Sequence, residues 1–242
     1  MIHQTGQISI NGAPIIEGCT RPAKSFMNKL LLTAAAILSI HAFAPAVMAQ
    51  DAAAGAKKAA MCMGCHGIPG YQASFPEIHK VPMISGQNAK YIVAALTGYK
   101  KGDRKHPTMD AVAKSLSEQD MADLGAFYES HGKDGRAAAG TPKAPSAQVA
   151  ELLKKANCAS CHGENFSKPI DPSYPKIGGQ YPDYLYVALK QYHTDNNRML
   201  GRNNAIMGGM SKMYTLPELK QLAKYLGSLD GELRTVEQSA FR

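Results

Sequence analysis

The sequence predicts an all-α protein made of two tandem copies of one helical plan. Three observations carry this: an internal repeat over most of the chain, apolar residues at helical spacing, and no convincing strand alternation. The repeat is plainest where "PMISGQNAKYIVAALTGY" (82–99) lies over "PKIGGQYPDYLYVALKQY" (175–192) at an offset of 93. A second block, "MDAVAKSLSEQDMADLGAFY" (109–128), lies over "MGGMSKMYTLPELKQLAKYL" (207–226) at an offset of 98. A slow drift of this kind marks two copies with small loop insertions.

The chain has 242 residues. Residues 1–49 read as an export leader. Met27-Asn28-Lys29 is a short basic start, Leu30 to Ile40 an apolar run of 11 residues, and Val47-Met48-Ala49 a cleavage site. Synthesis is expected to begin at Met27, and cleavage after Ala49 leaves Cys19 outside any functional site. The apolar run is short of the ~20 residues that span a bilayer. Of 27 basic and 19 acidic residues, 24 and 18 fall after Ala49, a difference of +6. That charge is diffuse, and Lys100-Lys101 with Arg104-Lys105 lacks the interleaved aromatics of a nucleic-acid site.

The first copy is expected over 50–133 and the second over 148–242. Between them, 134–147 is a Gly-, Ala- and Pro-rich linker without apolar periodicity. Three helices per copy are expected. Ala52–Cys62 and Gln148–Cys158 form one pair, Asn88–Tyr99 and Pro182–Tyr192 another. The last pair starts at the capping boxes Ser117-x-x-Asp120 and Thr215-x-x-Glu218. Met121, Leu124, Phe127 and Tyr128, and Leu219, Leu222, Leu226 and Leu229, give these last helices an apolar stripe. Three short helices make a thin core for so small a domain, so something else should fill it.

The filler is indicated by "CMGCH" (62–66) and "CASCH" (158–162), which coincide at an offset of 96. Cys-x-x-Cys-His is the attachment sequence of c-type haem. Two thiols three residues apart reach the two vinyl groups of one porphyrin, and the following imidazole reaches the iron. The motif therefore predicts two covalently bound haem c groups, on Cys62, Cys65 and His66 and on Cys158, Cys161 and His162. A zinc site is disfavoured because the pairs lie 96 residues apart, against ~15–20 in a common Cys-x-x-Cys zinc site. A redox dithiol is disfavoured because no βαβ pattern surrounds the motifs.

Iron bound by one His in such proteins commonly takes Met on its other face. The first copy offers Met83, Met109 and Met121, and the second Met199, Met207, Met210 and Met213. Met121 lies on a core stripe. Only Met109 and Met207 occupy matching places, each eight residues before a capping residue, so the repeat selects them. His79, His106, His131 and His193 are rivals, and none recurs at a matching position.

With "CMGCH" and "CASCH", "PMISGQ" and "PKIGGQ", and a Met before each last helix, residues 50–242 resemble the cytochrome c4 family. The resemblance implies two class I cytochrome c domains related by a pseudo-twofold axis, each wrapped around a haem. It implies Pro82 and Pro175 carbonyls behind the axial histidines, and haem propionates near the domain interface. Tyr91, Tyr99, Tyr184, Tyr192, Gln87 and Gln180 are repeated polar positions suited to hold them. Arg104 and Arg198 stand before the Met segments at unequal distances.

The function expected is a periplasmic carrier of single electrons, without enzymatic activity. It would work by transient contact with a quinol-oxidising complex or dehydrogenase as donor and a terminal oxidase as acceptor. Peripheral membrane association is compatible with this. The alternatives are the cytochrome subunit of a larger dehydrogenase and, less favoured, a di-haem peroxidase. An enzyme using a cysteine axial ligand is disfavoured, because no cysteine after the leader lies outside the two motifs.

Overall fold

In a computed structural model of the chain, residues 49–133 and 143–237 are described. All of the expected leader but Ala49, and most of the expected linker, lie outside them. The first half runs α1 (Ala52–Lys58), α2 (Ala60–His66), β1 (Gln72–Ala73), β2 (His79–Lys80), α3 (Ala89–Lys101), β3 (Arg104–Lys105), α4 (Pro107–Lys114) and α5 (Glu118–Ser130). The second runs α6 (Ala147–Lys155), α7 (Ala159–His162), α8 (Pro182–Gln191), β4 (Gly201–Arg202), α9 (Ala205–Lys212) and α10 (Leu216–Gly227). The all-α reading holds, with five helices in each half among the described residues where the sequence promised three. The expected first helix divides at Ala59 into α1 and α2, and its counterpart at Asn157, whose φ of 46° cannot continue a right-handed helix. The Met segments, which lie outside the three expected helices of each copy, are helices too. Pro107 at the first turn and the His106 cap start α4, and Asn204 caps α9.

Both capping boxes form. Ser117 and Thr215 accept from the backbone of Asp120 and Glu218, whose carboxylates reach back to the cap N–H groups. Behind them the apolar stripes are buried. Ile92, Leu96, Met121, Leu124 and Tyr128 form the first core; Leu185, Leu226 and Leu229, with Leu152, Leu219 and Leu222, form the second. Helix α1 crosses α5 at Gly55, where an added Cβ would sit 2.1 Å from the Asp123 carbonyl oxygen. Lys58 ties the same crossing, 2.7 Å from each of the Asp120 and Asp123 carboxylates.

The two halves meet about a pseudo-twofold axis. Strands β3 and β4 pair antiparallel with Arg104 opposite Arg202 and Lys105 opposite Gly201. Arg104 and Arg202 are 98 apart, the offset of the surrounding repeat, so each arginine faces its own repeat partner. Two glutamines 93 apart close the interface reciprocally. Gln87 bonds the backbone N–H and C=O of Lys176 at 2.9 and 3.0 Å; Gln180 bonds those of Met83 at 3.0 and 2.8 Å. This is the self-complementary pattern of an isologous contact, here within one chain. The residues before the glutamines, Gly86 and Gly179, have φ of 82° and 76°. Glycine is suited to that backbone, and a Cβ on Gly86 would lie 2.6 Å from the Glu232 carbonyl oxygen. Across the same seam, Lys80 of the first half pairs with Asp183 of the second, and Lys190 of the second with Glu77 of the first.

Side-chain hydrogen bonds to Lys58 hold the Asp120 and Asp123 carboxyls below their ordinary pKa. A carboxyl depressed in the folded state stabilises above its unfolded pKa of ~3.9, and that contribution fades as pH falls through the folded value. Lys58→Met should therefore lower the melting temperature at pH 7, and the gap to the parent protein should close as pH falls below ~4. Thermal melts at pH 7, 4 and 2.5 read this directly; a gap that is constant with pH would contradict it.

Candidate functional site

Each Cys-x-x-Cys-His motif occupies one helical turn. Helix α2 carries Cys62, Cys65 and His66, so the two thiols, three residues apart, share a face. Cys158 caps α7, which carries Cys161 and His162. All four cysteines are free thiols. Burial pushes the Cys62 and Cys158 thiols up, which keeps them protonated. Both first cysteines also lie against the apolar cores, Cys62 on the first and Cys158 on the second.

Both histidines are anchored alike. Nδ1 of His66 donates to the Pro82 carbonyl at 2.8 Å, and Nδ1 of His162 to the Pro175 carbonyl at 3.0 Å. A carbonyl only accepts, so Nδ1 must carry the proton and Nε2 is left with its lone pair. Burial lowers both imidazole pKa values, against the opposing pull of these carbonyls. A neutral imidazole with Nδ1 held and Nε2 free is the donor a metal ion takes.

Met109 and Met207 stand at equivalent helix positions. Each is the third residue after its cap: His106 Nδ1 accepts the Met109 N–H at 3.4 Å, and Asn204 Oδ1 the Met207 N–H at 2.9 Å. Met109 packs on the same core cluster as Cys62. Met121 is 1% exposed in the core, whereas Met199, Met210 and Met213 are exposed. Three of the rival histidines are held by protein partners on one nitrogen: His79 by the Glu77 carbonyl, His131 by the Ser85 hydroxyl, and His193 by the Ser211 carbonyl. His106 serves as the α4 cap.

At the pseudo-twofold axis lies a cluster that the sequence reading only half assembled. Arg104 donates to the hydroxyls of Tyr91 and Tyr184 at 3.2 and 3.4 Å and lies over the Tyr99 ring. Arg202 donates to Tyr184 and Gln191 at 3.2 and 3.1 Å and lies over the Tyr192 ring. The true counterpart of Arg104 is therefore Arg202, and Arg198 is not part of the cluster. The signal was available: Arg104 precedes Met109 by five residues, as Arg202 precedes Met207. A five-residue insertion between Tyr192 and Arg202 disguised it.

Burial opposes charge on both arginines, yet the surrounding phenols hold the Arg104 pKa well above its ordinary value. Burial would raise the Tyr184 phenol, but Arg202 and Arg104 pull it down to about 8. Neither guanidinium has a carboxylate partner among the described residues, and the buried Nε of Arg104 has no hydrogen-bond partner. Two adjacent cations with an orphaned donor call for an anion. The repeated tyrosines thus line the place where haem propionates were expected. Gln87 and Gln180 do not: both bond backbone across the interface.

The residues present fit haem c: two pairs of unpaired thiols on single helical turns, each followed by an imidazole with its outer nitrogen prepared. Comparison with known proteins agrees. The family described as Cytochrome c matches residues 146–230. Cytochrome c-554(548) of Halomonas halodenitrificans is 39% identical over 85 residues, which is 34% of this chain and 98% of that protein. Cytochrome c4 of Azotobacter vinelandii is 27% identical over 84% of this chain and all of the relative. A protein of Stutzerimonas stutzeri named thiosulfate dehydrogenase electron acceptor is 27% identical over 85% of this chain and 96% of its own length. The crystal structure of reduced cytochrome c4 from Pseudomonas stutzeri superimposes with a TM-score of 0.55 at 25% identity, over 75% of this chain and all of that one. The chain belongs to the cytochrome c family, as a cytochrome c4-like electron-transfer protein with covalently bound haem c.

Proposed function

We propose that the chain is a periplasmic two-haem carrier that passes single electrons between redox proteins of a respiratory chain. The observation that carries this is the duplication of the whole site: motif, histidine anchor and matched methionine recur in both halves. Cys62 and Cys65 would hold one haem by thioethers, with His66 and Met109 as the iron ligands. Cys158 and Cys161 would hold the other, with His162 and Met207. Residues 50–133 and 148–242 would then be two cytochrome c units joined by 134–147, delivered to the periplasm by the leader 1–49.

Haem iron with these ligands takes up and releases one electron. The chain's own groups do the rest. The prolines fix the imidazole tautomer, and the apolar cores around Cys62 and Cys158 exclude water from one side of each site. Arg104 and Arg202, with their tyrosines, would hold propionates at the axis. With both iron faces filled, no position is open to substrate, which supports a carrier rather than an enzyme. Transient contacts of this kind bury under ~1,200 Å². A quinol-oxidising complex or a dehydrogenase would donate, and a terminal oxidase accept. The relative named as an electron acceptor of thiosulfate dehydrogenase favours a second reading, in which the chain serves one dehydrogenase as its cytochrome partner. Among the described residues no helix is long and apolar enough to cross a membrane.

The methionine assignment is tested by two substitutions. Met207→Leu should abolish the weak near-infrared charge-transfer band of one haem, while Met210→Leu should leave both bands. The reverse result would assign the ligand to Met210. The carrier reading is tested with carbon monoxide and peroxide. The reduced protein should bind carbon monoxide slowly if at all, and peroxide-dependent oxidation of an artificial donor should be negligible. Rapid binding at one haem together with peroxide turnover would make the protein a peroxidase.

A further inference from the structure

The peptide unit after each proline makes two hydrogen bonds at once. In the first half, the Pro82 carbonyl accepts from His66 Nδ1, and the N–H of the same peptide, on Met83, donates to Gln180 Oε1 at 3.0 Å. In the second half, the Pro175 carbonyl accepts from His162 Nδ1, and the N–H of that peptide, on Lys176, donates to Gln87 Oε1 at 2.9 Å. Each histidine is thus linked, through a single amide, to a glutamine of the opposite half. We propose that Gln180 tunes the haem held by His66 and Gln87 the haem held by His162, so that each half sets the reduction potential of the other. This rests on the reading of His66 and His162 as axial ligands.

The physical basis is polarisation along the chain of bonds. An amide whose N–H is donated becomes a stronger acceptor at its carbonyl. A stronger carbonyl acceptor draws the Nδ1 proton and raises the basicity of the imidazole at Nε2. A more basic ligand favours ferric iron and lowers the potential. The glutamines are built to hold this geometry. Each Oε1 also accepts the N–H of the next residue, Asn88 or Tyr181, at 3.0 Å. Each Nε2 donates back to the carbonyl of Met83 or Lys176. Two N–H partners and one C=O partner admit one orientation of the amide. Both glutamines are 4% exposed, which leaves water little room to substitute for them. A residue serving only to join the halves could use any exposed backbone pair; both of these grip the amide next to an axial histidine.

The test uses the haem-loaded protein with Gln180→Met and Gln87→Met, which keep side-chain length and remove the strong acceptor. Haem methyl resonances, followed by NMR through a redox titration, give each haem its own midpoint potential. Met207→Leu, by disturbing one set, assigns them. Gln180→Met should raise the potential of the His66 haem and leave the His162 haem nearly unmoved; Gln87→Met should do the converse. If a methionine variant fails to assemble, Gln→Glu at the same position should give the same crossed pattern with the opposite sign, because a carboxylate is the stronger acceptor. Shifts at the glutamine's own half, equal shifts at both haems, or none would overturn the inference. A parent protein lacking two covalent haems would overturn the functional reading on which it rests; two haems with uncrossed shifts would overturn the inference alone.

Discussion

The amides after Pro82 and Pro175 are the constraint around which the molecule is arranged. Each accepts a hydrogen bond from an imidazole Nδ1–H at its oxygen and donates one from its N–H to a glutamine Oε1 of the other half. The first bond fixes the histidine's tautomer and direction. The second joins the halves. A single planar group therefore positions the ligand and docks the domain, so neither function can be moved without the other. The residues between follow from this. A left-handed glycine at 86 or 179 turns the chain sharply enough to aim the glutamine across the interface, and the helix that begins three residues later is laid against the neighbouring core.

The same axis gathers positive charge. Arg104 and Arg202 face one another across paired strands, surrounded by phenols and without a carboxylate among the described residues. Two like charges brought together repel and would cost the interface stability unless an anion joins them. Haem propionates are anions that the attachment motifs would bring to the molecule. On this account the interface is completed by its cofactors, and haem loading and domain docking depend on each other. The symmetry is not strict. Lys176 takes the place of Met83 and reaches the Gly86 carbonyl and the Glu232 carboxylate at 2.8 and 2.6 Å. The two halves thus differ in charge beside their histidines.

Much of this was legible in the sequence because repetition supplies an internal alignment. The motifs and both capping boxes were found by it, it matched Met109 to Met207, and helical period gave the core stripes; the prolines behind the histidines came from the family resemblance. What was lost lay at insertions and in short elements. The hairpin of β1 and β2 lengthens the path from His66 to Pro82 by three residues over that from His162 to Pro175, and the segment before Arg202 adds five. The second insertion hid the Arg104–Arg202 pair behind Arg198. Helices α4 and α9 have eight residues each and mixed composition, too little for periodicity to reveal; their caps, His106 and Asn204, hold them in the structure. Gln87 and Gln180 were visible as repeated residues, but their partners belong to the other half, and nothing local announces a contact across ~90 residues.

The central claim is that one haem-holding device is used twice. The intact mass of the exported protein tests it most directly. The account predicts a chain beginning at Gln50 that carries two haem masses, neither removed by acid acetone. A single haem, or haem extracted by that treatment, would contradict it.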